Sequence, residues 1–207
     1  MSNTTINTIV FDLGGVLIDW SPRYLYDKVF NGDIEKSKWF LENICTPEWN
    51  VEQDAGKPLD LATSELIKKH PDQAEYIQMY YDRWQEMLGK PIKEIVHLLE
   101  RFKFQEIYKL YALTNWSDET FPVALERFDF LNLFEGIVVS GQELTRKPFP
   151  KIYQILMDRY EVVPHQSVFI DDNLENVLGA KDMGFHAFQF KNPEKLFRDL
   201  KQLGIQF

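Results

Sequence analysis

Cysteine is all but absent from this chain of 207 residues: Cys45 stands alone, which excludes an internal disulfide and any cluster of cysteine metal ligands. Long apolar stretches are missing too. No run approaches the roughly 18 residues that cross a bilayer, and the polar stretch Met1 to Asn7 leads straight into a strand-like segment, without the basic and apolar regions of a signal peptide. The expectation is a soluble cytoplasmic protein with no membrane partner. Positive charge is also scarce, with 23 Lys and Arg against 32 Asp and Glu and a net charge of −9. Such a field repels polyanions, and no local basic patch offsets it, so nucleic acid is not an expected partner. An anionic substrate has to be met by local chemistry.

Apolar residues make up 44% of the chain and charged residues 27%, enough hydrophobic surface to fold independently. At roughly 150 residues per domain the length fits one domain, or one with a sizeable insertion. There is no internal repeat or low-complexity tract. Short apolar runs recur at Ile6 to Phe11, Tyr108 to Leu113, Gly136 to Val139, Val168 to Ile170 and Phe185 to Phe190, the pattern of buried parallel strands. Helical patterns lie between them, at Ile92 to Phe104, Asp118 to Arg127, Phe149 to Tyr160, Leu174 to Met183 and Pro193 to Leu200, with Pro150 and Pro193 as start signals. This alternation predicts an α/β fold with a Rossmann-like parallel sheet.

The alternation breaks once. From Asp19 to about Gly89 there is no strand signal, only aromatics and helix formers. This predicts an inserted all-helical cap over 19–89 on a core made of 1–18 and 90–207. Its helices are expected at Arg23 to Phe30, Ile34 to Ile44, Leu59 to His70 and Asp72 to Leu88, with an irregular stretch from Thr46 to Pro58 and hinges near Ile18 to Pro22 and Gly89 to Pro91.

Ligands of open parallel sheets sit beyond the carboxyl ends of the strands, and four of the five predicted ends carry polar residues. The first gives Asp12, then Gly14 and Gly15, whose backbone N–H groups can approach a ligand closely. The second gives Thr114 and Asn115 before a helix whose first amides favour an anion. The third leads to Lys147, and the fourth gives Asp171, Asp172 and Asn173, with Asn176 one turn on. Singly these are ordinary caps, turns and surface groups. Gathered at one sheet end, Asp12, Asp171 and Asp172 bring up to three negative charges against the single positive charge of Lys147. A divalent cation closes that balance, and hard oxygen ligands suit Mg²⁺. Cation and lysine together make an anion site fit for phosphoryl transfer, with the Asp12 carboxylate as candidate nucleophile.

These segments resemble the four ordered motifs of the haloacid dehalogenase-like hydrolases: Phe11-Asp12-Leu13-Gly14-Gly15-Val16, Leu113-Thr114-Asn115, Lys147-Pro148 and Phe169-Ile170-Asp171-Asp172-Asn173. The resemblance spans about the whole chain and implies a Rossmann-like core with a helical cap inserted after the first motif. It implies that Asp12 is the nucleophile and that Thr114 and Asn115 help hold the phosphoryl group. Lys147 neutralises charge, and Mg²⁺ is bound by Asp12, the Gly14 carbonyl and chiefly Asp172, with Asp171 beside it. Asn176 becomes a support for that acidic pair. The implied activity is a Mg²⁺-dependent phosphoric monoester hydrolase that forms a phospho-aspartate and acts on a small phosphorylated metabolite such as a sugar phosphate.

One position departs from the family's phosphatases, which carry a second Asp two residues after the nucleophile, where this chain has Gly14. General acid–base catalysis contributes roughly 10²- to 10⁴-fold in rate. Its loss predicts a preference for aryl, acyl or anomeric phosphates, whose leaving groups need little protonation, unless a cap residue or Asp19 donates instead. Two rival readings follow. A 2-haloacid dehalogenase also lacks that acid but needs no metal; it takes an arginine from its cap, for which Arg23 and Arg83 are available. A non-catalytic phospho-ligand binding protein is the other.

Specificity is expected in the cap, which faces the site on closure. Within Cys45 to Gly56, Trp49 could stack on a polyhydroxyl substrate while Asn50 and its polar neighbours hydrogen-bond to it; ordinary packing is the alternative. Tyr76, Tyr80, Tyr81 and Trp84 recur at helical spacing and are read as cap packing. Cys45 is expected to be small and buried rather than nucleophilic.

Overall fold

Residues 5–207 are described by the computed structural model; Met1 to Thr4, part of the polar N-terminal stretch, lie outside the described residues. The described residues begin with strand β1 (Thr8–Phe11), all of it buried, and β2 (Ile18–Trp20). Five helices follow: α1 (Arg23–Val29), α2 (Ile34–Asn43), α3 (Pro47–Asp54), α4 (Leu59–Lys69) and α5 (Ala74–Asp82). The chain then returns through β3 (Leu88–Pro91) to the alternating part: α6 (Lys93–Gln105), β4 (Lys109–Thr114), α7 (Phe121–Arg127), β5 (Gly136–Val139), α8 (Ser140–Glu143) and α9 (Pro150–Tyr160). It ends with β6 (Ser167–Asp171), α10 (Leu174–Asp182), β7 (His186–Gln189) and α11 (Pro193–Gln202).

Five strands form one parallel sheet in the order β5-β4-β1-β6-β7. Alternation along β1 supplies both faces: Ile9 and Phe11 pack with Leu99 and Phe102 of α6 and Leu200 of α11, whereas Val10 packs with Ile152 and Leu156 of α9 and Val177 of α10. Burial on both faces explains why these strands read as continuous apolar runs. It also fixes the register, so that the carboxyl ends of β1, β4 and β6 emerge side by side.

The cap has its own aromatic centre, in which Tyr26 lies 4.7 Å from Phe40 and Phe30 lies 4.9 Å from Tyr76, centroid to centroid. Its attachment differs from two independent hinges. The two connecting segments pair with each other as the antiparallel ribbon β2–β3, with Ile18 opposite Pro91 and Trp20 opposite Leu88. Arg127, at the end of α7, donates to the carbonyls of Gln85, Leu88 and Gly89 at the base of that ribbon. Across the cap–core boundary Glu119 accepts from the Leu59 amide at 2.8 Å, and the Ser140 hydroxyl donates to the Asp54 carbonyl.

Two sequence expectations are corrected here. The stretch after Cys45 is not irregular: Thr46 caps helix α3 by accepting from the Trp49 amide, with Pro47 in its first turn. The single helix expected from Asp72 to Leu88 is broken. Tight three-residue-per-turn segments at Pro71–Gln73 and Trp84–Met87 flank α5, and the second delivers Met87 and Leu88 to the buried base of the ribbon.

Candidate active site

Asp12 follows the last residue of β1, and its backbone N–H donates to the Ile170 carbonyl of β6 at 2.8 Å. The chain then folds back sharply. The Leu13 carbonyl accepts from the amides of Leu17 and Ile18, and Gly15 takes φ +71°, a left-handed conformation that glycine adopts without steric cost. Glycine is required there for a second reason: a β-carbon on Gly15 would lie 2.3 Å from Asp172 Oδ2. The tight turn and the β6 carboxylate therefore occupy adjoining space.

Lys147 is completely buried. Its Nζ donates to Asp171 Oδ2 at 2.6 Å and the Leu113 carbonyl at 2.7 Å, and lies 2.9 Å from Asp12 Oδ1. Burial alone pushes an ammonium pKa down, but here the attraction of Asp12 and Asp171 outweighs it and holds the pKa above its ordinary value. Asp12 moves the other way from a typical paired carboxylate. Burial, with repulsion from Asp171 and Asp172, raises its pKa well above the usual range despite the pull of Lys147.

Asp171 is saturated. Besides Lys147 it accepts from the Asn173 amide at 2.8 Å and from Asn176 Nδ2 at 3.0 Å. Asn176 is held in turn by Tyr153, whose hydroxyl donates to its carbonyl at 2.7 Å. Asp172 faces the opening instead, with its pKa raised by partial burial and by Asp171. Carboxylate oxygens of Asp12, Asp171 and Asp172 lie within 4.8 Å of one another. Three carboxylates so close, with one ammonium among them, fit a hard divalent cation. Asp171 has both oxygens engaged by Lys147, Asn173 and Asn176, whereas the bonds of Asp12 to Lys147 and the Leu13 amide fall on Oδ1 and Asp172 faces the cavity.

At the end of β4, Thr114 is 1% exposed and its hydroxyl has no hydrogen-bond partner, an unsatisfied group of the kind an anion's oxygen can complete. Asn115 is committed elsewhere. Its Nδ2 donates to the Lys147 carbonyl at 3.1 Å and its Oδ1 accepts from the Lys147 amide at 2.9 Å, so it holds the lysine's main chain.

A cavity of about 470 Å³ opens above these groups. Asp12, Gly14, Gly15, Asn115 and Asp172 line its floor; Leu41, Asn50, Val51, Asp54, Tyr80 and Tyr81 line its cap side. Much of the cap-side polarity is internally satisfied. Asn50 Oδ1 accepts from Tyr80 at 3.1 Å and Tyr81 at 3.3 Å, and Asn50 Nδ2 donates to Asp54 Oδ2 at 3.2 Å.

The five-strand order, the inserted cap and the four polar strand ends converge on one family, and a family model described as haloacid dehalogenase-like hydrolase matches residues 9–190. The chain belongs to the haloacid dehalogenase-like hydrolases. It is 25% identical to a sesquiterpene phosphatase of Aspergillus oryzae over 97% of both chains. It is also 25% identical to a phosphorylated carbohydrates phosphatase of Thermotoga maritima, over 86% of this chain and 82% of that one. Among solved structures it is similar to a family enzyme of Bacteroides thetaiotaomicron in complex with magnesium and inorganic phosphate, with TM-score 0.68 and 23% identity over 93% of this chain and 100% of that one. The L-2-haloacid dehalogenase of Xanthobacter autotrophicus shares the fold as well, at TM-score 0.62 and 17% identity over 98% and 85%.

Within this hydrolase several sequence expectations fall elsewhere. The Trp49 ring does not line the cavity. It packs on Tyr80 and Tyr81 at 5.1 and 5.6 Å, because α3 turns that face into the cap, and it borders a separate hollow with Glu48, Glu52 and Lys57. Arg23 and Arg83 pair with Asp27 and Glu86, and Asp19 accepts from the Tyr24 hydroxyl at 2.5 Å; none of the three lines the cavity. Cys45 is buried at the cavity wall, and burial pushes its thiol up to about 12, the opposite of nucleophilic activation. Sequence reasoning gave Asp54 no role beyond its place in the polar stretch Cys45 to Gly56, and Ser140 no role of its own. Asp54 lies in a stretch of acids and amides in which nothing distinguishes it before the cap docks, and Ser140 directly follows a strand, where a cap is the common reading.

Proposed function

We propose that this hydrolase is a magnesium-dependent phosphomonoesterase that works through a phospho-aspartate on Asp12. The observation that carries the reading is the buried Lys147 shared between Asp12 and Asp171, with Asp172 left facing the cavity. That charge pattern needs a cation and then suits a dianionic phosphoryl group. The phosphatase relatives, and the related fold holding magnesium and phosphate, support it.

In this reading the Asp12 carboxylate attacks phosphorus, and its negative charge is held in line by Lys147 and by the Leu13 amide, which donates to Oδ1 at 2.7 Å. The Thr114 hydroxyl donates to a phosphoryl oxygen, and Asn115 acts through the lysine's main chain. Asn176 keeps Asp171 turned toward Lys147. Asp12, Asp172 and the Gly14 carbonyl would hold Mg²⁺, whose positive charge would offset that of the phosphoryl oxygens. The core over 1–18 and 90–207 carries these groups, and the cap over 19–89 closes the cavity and excludes water.

The alcohol portion of the substrate faces Leu41, Val51, Tyr80 and Tyr81, with Asn50 already hydrogen-bonded inside the cap. This supports a small ester with an apolar or aromatic alcohol over a sugar phosphate, because a polyol would leave its hydroxyls poorly matched. The two phosphatase relatives are named for substrates of both kinds. Against a dehalogenase reading, no arginine lines the cavity among the described residues.

The test is hydrolysis of an aryl phosphate with Mg²⁺ or with chelator, using Asp12→Asn as control. Phosphate release that needs both the metal and Asp12 is expected. Release of halide from a 2-haloacid without metal, and none from phosphate esters, would replace the reading with the dehalogenase one.

A further inference from the structure

Position 14 lacks the acid on which the family's phosphatases rely, and the reason is not crowding. A β-carbon built on Gly14 meets nothing within 4 Å. Another group has to move the proton, or alkyl esters are beyond the enzyme. The ionisable residues lining the cavity, among those described, are Asp12, Asp172, Asp54, Cys45, Tyr80 and Tyr81. Asp12 is the nucleophile and Asp172 the metal ligand in the reading above. Burial pushes the thiol of Cys45 and the two tyrosine hydroxyls up, away from proton exchange near neutrality. Asp19, the other candidate near the hinge, is outside the cavity and bonded to Tyr24.

We propose that Asp54, carried into the cavity by cap helix α3, is the acid that protonates the leaving group and the base that then activates water, taking the place of the residue absent at position 14. The assignment rests on the phosphatase reading. Asp54 hangs over the cavity from the end of α3, whose last turn is fixed to the core by the Ser140 hydroxyl on the Asp54 carbonyl. Its carboxyl accepts from Asn50 Nδ2 at 3.2 Å, and Asn50 is not among the proposed metal ligands. Burial raises its pKa to about 7, although Arg146, the Ser117 N–H and Lys147 pull it down; Tyr80 and Tyr81 face it from α5, and Asp12 and Asp172 share the cavity. A carboxyl titrating there can both give and take a proton at neutral pH.

The cycle balances. Asp12 attacks phosphorus, the bond from phosphorus to the ester oxygen breaks, and the proton of Asp54 passes to that oxygen to release the alcohol. Asp54, now a carboxylate, takes a proton from water as the water oxygen attacks the phospho-aspartate. The bond from phosphorus to Asp12 breaks, phosphate leaves, and Asp12 is again a carboxylate and Asp54 an acid.

The experiment compares wild type with Asp54→Asn on p-nitrophenyl phosphate and on a simple alkyl phosphate, with Mg²⁺. Asparagine keeps a hydrogen-bond acceptor for Asn50 but carries no exchangeable acid. For the alkyl ester, kcat/KM is expected to fall about 10²- to 10⁴-fold. For the aryl ester kcat/KM is expected to stay within about threefold while kcat falls, because its first step needs no acid and its second lacks a base. A burst of nitrophenol and a phosphorylated Asp12 detectable by mass spectrometry follow from that split. Gly14→Asp in the Asp54→Asn background, filling the open space at position 14, is expected to recover alkyl turnover. Equal losses of kcat/KM on both esters, or no loss on either, would overturn the assignment and leave Asp54 a docking residue. Absence of hydrolysis by the wild type on every ester would remove the phosphatase reading and this inference with it.

Discussion

Gly15 and Asp172 cannot both keep their places if glycine gains a methyl group, since that carbon would stand 2.3 Å from the carboxylate oxygen. The left-handed backbone at Gly15 adds a strain of about 1–2 kcal/mol for any other residue. Gly15→Ala is therefore expected to leave the sheet folded but to displace Asp172, weakening magnesium binding by about tenfold or more, in line with disturbed metal supports. Magnesium dependence of turnover, measured beside an unfolding curve, checks both halves. Unchanged magnesium affinity would remove Asp172 from the ligand set.

Lys147 is a buried cation whose removal strands two carboxylates. Lys147→Met is expected to abolish activity and to cost about 3–5 kcal/mol of stability, the range for breaking one side of a buried ion pair. The double variant Lys147→Met with Asp171→Asn removes a stranded charge as well. It is expected to regain much of the stability and none of the activity, which separates charge balance from catalysis. Urea unfolding of wild type, single and double variants reads the difference.

Stability should also report the state of Asp54. A carboxyl raised from its ordinary value to about 7 keeps its proton in the folded chain over a pH range where the unfolded chain has lost it. Its contribution is thus most favourable near pH 4, falls as pH rises, and levels off above about 7. A tenfold change in proton affinity is worth about 1.4 kcal/mol, so the total is on the order of a few kcal/mol. Asp54→Asn lacks this dependence. Its stability relative to wild type is expected to rise from pH 4 to pH 7 and to be highest at pH 8, as measured by urea unfolding across that range. A flat difference would mean that Asp54 ionises as an ordinary surface carboxylate.

The core was legible because its strands are buried on both faces. Continuous apolar runs ending in Asp12, Thr114 and Asp171 gave both the sheet and the polar strand ends, within a residue or two of the observed limits at most boundaries. The cap was harder to read. Helix α3 is made of acids and amides with little apolar periodicity, although Thr46-Pro47 carried a start signal of the usual kind. Strands β2 and β3 are three and four residues long, and their pairing joins positions about seventy residues apart, which no local pattern encodes. The same limit hid Asp54, whose burial exists only once cap and core meet. Trp49 stayed open between stacking on a ligand and packing because an aromatic beside polar residues looks the same whether its ring faces a ligand or, as here, Tyr80.

The ribbon formed by β2 and β3 alters how the cap can move. Two separate linkers would let it swivel and slide; two strands bonded to each other, braced by Arg127 on three carbonyls, form a single strap. A strap joins both crossings into one mount, and the Ser140 hydroxyl on the Asp54 carbonyl holds the end of α3 against the core. Alignment between lid and floor is thereby set by the mount, much as a door's edge meets its frame without being steered.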